Sequence, residues 1–241
     1  MTQVLVIGAD NSDDKAPRSL TSQAFEALRS DIITCRLAPK EKLRIQALSE
    51  RYGIGITAIR EALSRLVADG LVEASDQKGF RVSPVSRVEL LDLTNTRVEI
   101  ESLALTKSIA NGDVEWEATV LSACHQLSRH RGPGPGATEE DKAAWSRLHQ
   151  QFHFSLIAKC GSPWLLNICN LLHEQSERYR HLADFATTPA MRDTVGEHDA
   201  LMQAALNRDA PQACELLRKH FLTTTEILLH AYETADNSLV V

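Results

Sequence analysis

The apolar residues between positions 48 and 72 recur at helical spacing in two groups, which a pair of glycines separates. Leu48 and Tyr52 are four positions apart in the first group, and Gly53 and Gly55 interrupt the pattern after it. The second group is longer and places three apolar residues on one face: Ile59, Leu63 and Leu66. Apolar positions three to four residues apart share one face of a helix, so this stretch predicts two helices joined by a tight turn.

The sequence on both sides of this helix-turn-helix predicts a winged helix domain. Upstream, apolar residues at helical spacing predict a first helix from about Ser22 to Cys35. Downstream, two β-prone runs at 71–73 and 80–82 flank Asp76-Gln77-Lys78-Gly79, which is typical of a hairpin turn. We therefore predict a three-helix unit with a β wing over residues 18–85, preceded by a flexible arm at 1–17.

The remainder of the chain is helical in its pattern almost throughout, so the predicted fold class is mainly α. Ser83 to Ser86 is the expected linker, with Ser86 as the N-cap of the next helix. An all-α bundle is expected over residues 86–235 and a short tail over 236–241. Its predicted helices span 87–110, 114–131, 138–159, 163–185, 189–207 and 210–234.

Composition and charge narrow the class of protein. Hydrophobic residues make up 43% of the chain, but no apolar run approaches the ~20 residues that cross a bilayer, so no membrane segment is expected. The five cysteines lack paired close spacings, which favours reduced thiols in the cytoplasm over a disulfide framework. The net charge is −6, yet residues 18–87 carry 12 Lys and Arg against 8 Asp and Glu. This local basic excess suits contact with the phosphates of DNA.

The second helix of the helix-turn-helix has the character of a DNA recognition helix. Its outer face carries arginines and a small polar residue: Arg60, Ser64 and Arg65. Such a face is suited to the major groove of double-stranded DNA.

Four of the nine histidines are expected to converge inside the bundle. His149 and His153 are one helical turn apart, a spacing at which two imidazoles can bind one metal ion. His198 and His220 lie at similar distances from the turn between two consecutive helices, and all four fall on apolar stripes. The alternative is that each is a hydrogen-bonded core residue. The other five histidines are expected at the surface or at helix ends.

Arg97 also falls on an apolar stripe, because it lies among Leu90, Leu93, Ile100 and Ala104 at helical spacing. A guanidinium that faces a core needs an anion. That anion is either Glu101, one turn further on, or the carboxylate of a small effector. Arg178 and Tyr179, with Arg180 beside them, are candidates for the same effector role, although arginines late in a helix also complement its dipole.

These motifs resemble a known family. The segment KLRIQALSERYGIGITAIREALSRLVADGLVEASDQKGFRV resembles the DNA-binding domain of the GntR family of bacterial transcription regulators. The segments RVEIE, LHQQFHFSLIAKCGS and EHDALMQAALNRDAPQACELLRKHF are similar to the FadR-type subgroup, which carries an FCD ligand-binding domain. Within that subgroup, WSRLHQQFH, AKCGS and SDQKGFRV are similar to a carbon-starvation-induced repressor that senses glutarate.

The resemblance implies a homodimer that binds a short palindromic operator and is controlled by a small carboxylic acid. It also implies a divalent metal ion held by one Asp and three His. His153, His198 and His220 match the three histidines, and His149 stands where the family usually has Asp. An all-imidazole set favours zinc or nickel over manganese or magnesium.

The same resemblance assigns DNA contacts. Arg60 matches a principal DNA-binding arginine of the family, Thr57 a hydroxyl contact, and Lys78 with Gly79 the tip of the wing. Relatives usually have Ser-Arg where this chain has Gly55 and Ile56, so an arginine that recognises guanine is missing. Arg44 is the candidate replacement, with a phosphate contact as the alternative.

The resulting hypothesis is a repressor in which a dicarboxylate bound near the metal and Arg97 moves helix 87–110. Two alternatives belong to other classes. A metal-dependent hydrolase would need a general base beside the metal, and Glu197 is expected to point away from it. An architectural DNA-binding protein would have no use for converging histidines.

Overall fold

The structure, a computed structural model, describes residues 19–75, 79–130, 136–182 and 192–234. The predicted arm and tail, and positions 76–78 of the predicted wing turn, lie outside these ranges. The elements of the N-terminal domain are α1 (Leu20–Ile33), β1 (Lys42–Leu43), α2 (Ile45–Tyr52), α3 (Ile56–Ala68), β2 (Val72–Ser75) and β3 (Gly79–Val82).

The N-terminal domain is built around the buried face of α3. Ile59, Leu63 and Leu66 are fully buried and pack with Leu28 and Ile32 of α1 in one hydrophobic cluster. Burial of each such side chain contributes roughly 1.5–3 kcal/mol, so this face fixes how α3 lies on α1. Gly53 ends α2 with a φ of 65°, a left-handed conformation that favours glycine, and thereby makes the tight turn.

Asp31 of α1 ties α1 to α2 by polar contacts. Its carboxylate accepts hydrogen bonds from Arg36 (2.7 Å), Arg51 (2.7 Å) and Tyr52 (2.6 Å). Two arginines of this basic domain therefore pair with an internal carboxylate.

The wing is a small antiparallel sheet with the strand order β1-β3-β2. Val72 pairs with Val82 and Ser75 with Gly79, while Lys42 pairs with Arg81 across the other edge of β3. The sequence pattern did not predict β1, because two residues are too few to show alternation.

The C-terminal bundle contains α4 (Arg87–Asn111), α5 (Val114–Arg129), α6 (Glu139–Ile157), α7 (Pro163–Leu182), α8 (Thr194–Leu206) and α9 (Ala210–Thr234). These bounds agree with the predicted helices to within a few residues, except that the start of α8 is later and positions 183–191 are not described. The Ser86 side chain accepts a hydrogen bond from the Glu89 amide and caps α4, as expected.

Helix α4 lies at the centre of the bundle, where it contacts α6, α7 and α9. Trp116 of α5 is buried and donates from its indole nitrogen to the Ser155 carbonyl of α6 at 2.9 Å. Apolar residues of α4 to α9 form the core of the bundle, and a buried polar cluster lies between α6, α8 and α9. Within the described ranges, no helix is long and apolar enough to cross a membrane.

Candidate functional site

Four histidines meet inside the bundle, as the spacing predicted. His149 and His153 project from α6, His198 from α8 and His220 from α9. One ring nitrogen of each lies within 4.8 Å of those of the others, and all four side chains are buried. Four imidazoles at this separation form a nitrogen donor set that suits one transition-metal ion.

Electrostatics keep these imidazoles neutral at pH 7. Burial lowers the pKa of His149, His153 and His198 well below the usual value, and nearby cationic groups lower it further. Burial also lowers the pKa of His220 to about 4, even though a hydrogen bond with Glu197 opposes that shift. Neutral imidazole is the form that binds a metal ion.

The hydrogen bonds of the cluster test whether the residues fit a metal. Nδ1 of His153 and Nε2 of His198 are buried and have no hydrogen-bond partner among the described residues. A buried polar atom without a partner costs about 1–3 kcal/mol, and coordination to a cation would remove that cost where the nitrogen presents a lone pair. His220 donates from Nδ1 to Glu197 at 2.8 Å, which leaves its Nε2 lone pair available. The donor set therefore fits a divalent ion of the zinc or nickel type.

His149 differs from the other three. Nη1 of Arg180 lies 3.1 Å from its Nδ1, and a guanidinium can only donate, so Nδ1 accepts. The proton of the neutral ring is then on Nε2, which lies 3.2 Å from Nε2 of His153. In this arrangement His149 donates from Nε2 to Nε2 of His153, which places the His153 proton on Nδ1. His149 becomes a ligand only if Arg180 moves and its ring changes tautomer, which would also free Nε2 of His153.

Three arginine–glutamate pairs lie around the histidines. Arg97 pairs with Glu101 at 2.8 Å. This internal ion pair is the alternative to an effector carboxylate that the sequence left open. The other two pairs are Arg180 with Glu177 at 3.0 Å and Arg192 with Glu197 at 2.7 Å. Because each cation has its own carboxylate, the ring of charges is balanced in the absence of further ions.

A small cavity adjoins the cluster between α4, α7 and α9. Its lining includes Arg97, Arg180, His149 and His220, with hydroxyl groups from Thr94 and Ser176. Its apolar lining residues include Leu90, Phe221 and Leu228. The cavity volume is about 20 Å³, which is room for about one water molecule. A dicarboxylate would fit only if the surrounding helices moved apart.

Arg178 and Tyr179, which the sequence assigned to effector binding, are not in the lining of this cavity. Arg178 is 1% exposed and donates to the Ser83 carbonyl of the linker at 2.6 Å. The Tyr179 hydroxyl donates to Glu89 at 2.5 Å and receives the Ser86 amide at 3.4 Å. Residues two positions apart on a helix point about 200° apart, so Arg178 faces the linker while Arg180 faces the histidines.

The same part of α7 also contacts the DNA-binding domain. Gln175 donates to the Asp69 carbonyl, at the end of α3, at 2.8 Å. Glu174 forms an ion pair with Arg29 of α1, whose Nε lies 3.2 Å from the Glu174 carboxylate. Residues 174–180 therefore connect the winged helix on one side to the cavity on the other.

His173, expected at the surface or at a helix end, is buried instead. It lies on the inner side of α7, 4.0 Å from the Glu177 carboxylate, and its ring packs edge-on against Phe154 of α6. Burial lowers its pKa to about 4. The expectation failed because helix pattern alone does not show how much of α7 its neighbours cover.

The predicted DNA contacts that lie within the described residues are on the surface. Arg44 is the exposed N-cap of α2, and Thr57 and Arg60 are exposed in the first turns of α3. Gly79 begins β3 with a φ of 79°, whereas Lys78 lies outside the described residues. Arg65 is held over the Phe25 ring of α1 at 4.2 Å. Arg60 is exposed on α3 and stays the arginine of this helix that we predict to contact DNA.

The sequence did not predict Arg192 as part of the site, and it took Glu197 only as pointing away from the metal. Arg192 donates from Nε to one Glu197 oxygen at 2.9 Å and from Nη2 to the other at 2.7 Å. The expectation that Glu197 points away from the metal does not describe its place, because its carboxylate contacts His220 of the histidine cluster on the next helix. The contact between Glu197 and His220 could have been predicted from the sequence, because Glu197 precedes His198 in a helix that forms a hairpin with the helix of His220.

The winged helix, joined to a helical domain with a buried polar site, defines a ligand-responsive DNA-binding transcription regulator. The chain belongs to the GntR family, with residues 20–82 matching "Bacterial regulatory proteins, gntR family" and residues 92–223 matching "FCD domain". It is thus a FadR-type member of that family, a family of regulators rather than enzymes.

Individual relatives agree with this assignment. The chain is 39% identical over 235 residues to the uncharacterized HTH-type transcriptional regulator BphR of Paraburkholderia xenovorans, covering 93% of this chain and 94% of that protein. It is 39% identical over 210 residues to the HTH-type transcriptional repressor GlaR of Escherichia coli, covering 86% and 94%. The solved structure of E. coli McbR/YncC has the same fold, with a TM-score of 0.74 at 22% identity, and the match covers 90% of this chain and 100% of that one.

Proposed function

We propose that this protein is a repressor that leaves a palindromic operator when a short dicarboxylate, such as glutarate, binds beside the four-histidine cluster. The observation that carries the proposal is a cavity lined by Arg97 and Arg180 next to four buried imidazoles, in a chain with a winged helix. We further propose that it acts as a cytoplasmic homodimer.

The charges of the site support an anionic effector. No carboxylate is in the described lining of the cavity, whereas two guanidinium groups are. Each of these arginines already has a glutamate partner, so together they attract an anion weakly. A divalent ion held by His153, His198 and His220, with His149 as a fourth donor once Arg180 has moved, would supply the additional positive charge that a carboxylate needs.

The size of the cavity supports a coupling between effector binding and movement. Because about 20 Å³ cannot hold a dicarboxylate, binding must separate α4, α7 or α9. Helix α4 begins at the linker, and α7 binds that linker through Arg178. A shift of either helix would change the angle between two DNA-binding domains, which must place their recognition helices about 34 Å apart.

The first experiment is a calorimetric screen of C4 to C6 dicarboxylates on protein whose metal content has been measured. We expect one or more acids to bind and to weaken the protein's binding to its operator. Chelation of the metal should abolish acid binding and leave DNA binding intact. Turnover of the acids, or binding of none of them, would contradict the proposal.

The role of Arg97 can be tested separately, and so can the oligomeric state. Replacement of Arg97 by Ala should abolish release from DNA by the acid, while Arg218→Ala, at an exposed arginine of α9, should not.

Light scattering during gel filtration should give twice the mass of one 26.7 kDa chain. A monomer that binds the palindrome with full affinity would contradict the dimer.

A further inference from the structure

The first residue of the recognition helix is an exposed isoleucine. Ile56 begins α3 and is 44% exposed, whereas the buried apolar residues of this helix begin at Ile59. The rest of the exposed face near Ile56 is polar and includes Thr57, Arg60 and Ser64. Ile56 and Arg60 are one turn apart, so they share this face.

The position of Ile56 is the one from which a recognition helix contacts bases. In helix-turn-helix proteins, the N-terminal residues of the recognition helix approach base edges in the major groove. Gly55 precedes Ile56 and has no side chain, and nothing lies within 4 Å of where its Cβ would be. The backbone can therefore approach DNA closely at this end of α3.

The chemistry of the side chain selects one base. An isoleucine side chain has no hydrogen-bond donor or acceptor, so it gains nothing from the polar edges of guanine, cytosine or adenine. The C5-methyl group of thymine is the apolar feature of the major-groove edge, and apolar side chains contact it. We propose that Ile56 packs on a thymine methyl group and gives each operator half-site a preference for T at one position.

This proposal rests on the proposed DNA-binding function and adds the base that α3 selects. It places Arg60 and Ile56 in complementary roles on the same face. Arg60 contacts a polar base edge or a phosphate, and Ile56 contacts a methyl group one turn closer to the helix N-terminus. Each half-site should then contain a methyl-dependent position a few base pairs from the position that depends on Arg60.

The experiment begins with selection of bound sequences from random 30-base-pair duplexes by the full-length protein, which defines the operator. Each thymine of one half-site is then replaced by deoxyuridine, which removes only the methyl group. We expect one position at which this change weakens binding about fourfold, the effect of one buried methyl-sized group. Deoxyuridine in the flanking sequence is the matched control.

The variant Ile56→Ala identifies the residue that senses the methyl group. Ile56 is on the surface, so the variant should fold normally, and circular dichroism checks this. It should bind the thymine and deoxyuridine duplexes equally, whereas Thr57→Ser should still distinguish them. If Ile56→Ala remained as sensitive to deoxyuridine as the natural protein, or if no thymine of the site were methyl-sensitive, the proposal would be overturned. Failure to select any DNA would instead refute the DNA-binding function.

Discussion

At the scale of single residues, the site depends on which nitrogen of each histidine carries the proton. Glu197 accepts from Nδ1 of His220 and so directs the Nε2 lone pair of His220 into the cluster. Burial opposes ionisation of Glu197, but hydrogen bonds from His220 and Arg192 outweigh burial and lower its pKa to about 2. Glu197 therefore remains a carboxylate at physiological pH and keeps His220 oriented.

Replacement of Glu197 by Gln should weaken zinc binding by about 10- to 100-fold, because the amide is a weaker acceptor for the Nδ1 proton. Competition with a chromogenic chelator measures the affinity, and a melting curve of the metal-free variant reports its fold. The exposed Asp199, two residues further along α8, provides the control Asp199→Asn. Equal zinc affinity in the Gln variant and the natural protein would show that Glu197 does not orient His220.

Replacement of Arg60 by Ala should reduce affinity for the operator by ~1–3 kcal/mol, because Arg60 is the exposed arginine of the first turns of α3. The measurement is a gel shift at fixed salt, with Arg218→Ala in the bundle as the control. An unchanged midpoint for Arg60→Ala would contradict the assignment of Arg60 to DNA contact.

At the scale of elements, α7 has contacts that suit it to transmit a signal. Arg180 faces the histidines, and Arg178, two residues earlier, binds the Ser83 carbonyl of the linker. Ser176 accepts from Arg97 of α4 at 2.7 Å, while Gln175 contacts the end of α3. Movement at the cavity can therefore reach the winged helix through α7 as well as through α4.

Replacement of Arg178 by Met should separate effector binding from DNA release. The variant lacks the donor to Ser83 and should lose about 1–3 kcal/mol of stability through the unsatisfied carbonyl. Its affinity for the dicarboxylate should stay within about twofold, because Arg178 is not in the cavity lining. Fluorescence anisotropy with labelled operator, with and without the acid, measures release. Complete release, as in an Arg218→Met control, would argue against transmission through α7.

At the scale of the whole molecule, the buried site makes stability depend on pH. In the metal-free protein, the folded-state pKa values of all four histidines lie below the usual value of about 6.5. Unfolding below that pH takes up protons that the folded state excludes. The stability present above pH 6.5 is therefore lost as the pH falls towards the folded-state values.

The metal-free protein should lose stability steeply between pH 6.5 and 5, by up to roughly 1.4 kcal/mol per pH unit for each histidine. Urea unfolding at several pH values, with a chelator present, measures this slope. His198→Gln should reduce the slope, whereas His125→Gln, at an exposed position, should not. A stability that stayed constant from pH 7 to 5 would contradict the burial of four neutral imidazoles.

The sequence by itself determined the helices, the winged helix and the convergence of the four histidines. These features depend on local regularities: apolar spacing, the glycine of a turn, the capping serine, and the equal distances of His198 and His220 from one turn. Such regularities act over a few residues, so they can be recognised without a structure.

Only the tertiary structure decided what the arginines do. Arg178 and Arg180 are two residues apart and chemically identical, yet opposite faces of α7 meet the linker and the cavity. Glu197 acts on a histidine of another helix, and His173 is buried by neighbours far away in the sequence. These roles depend on how helices pack and rotate relative to one another, which the spacing within any one helix does not specify.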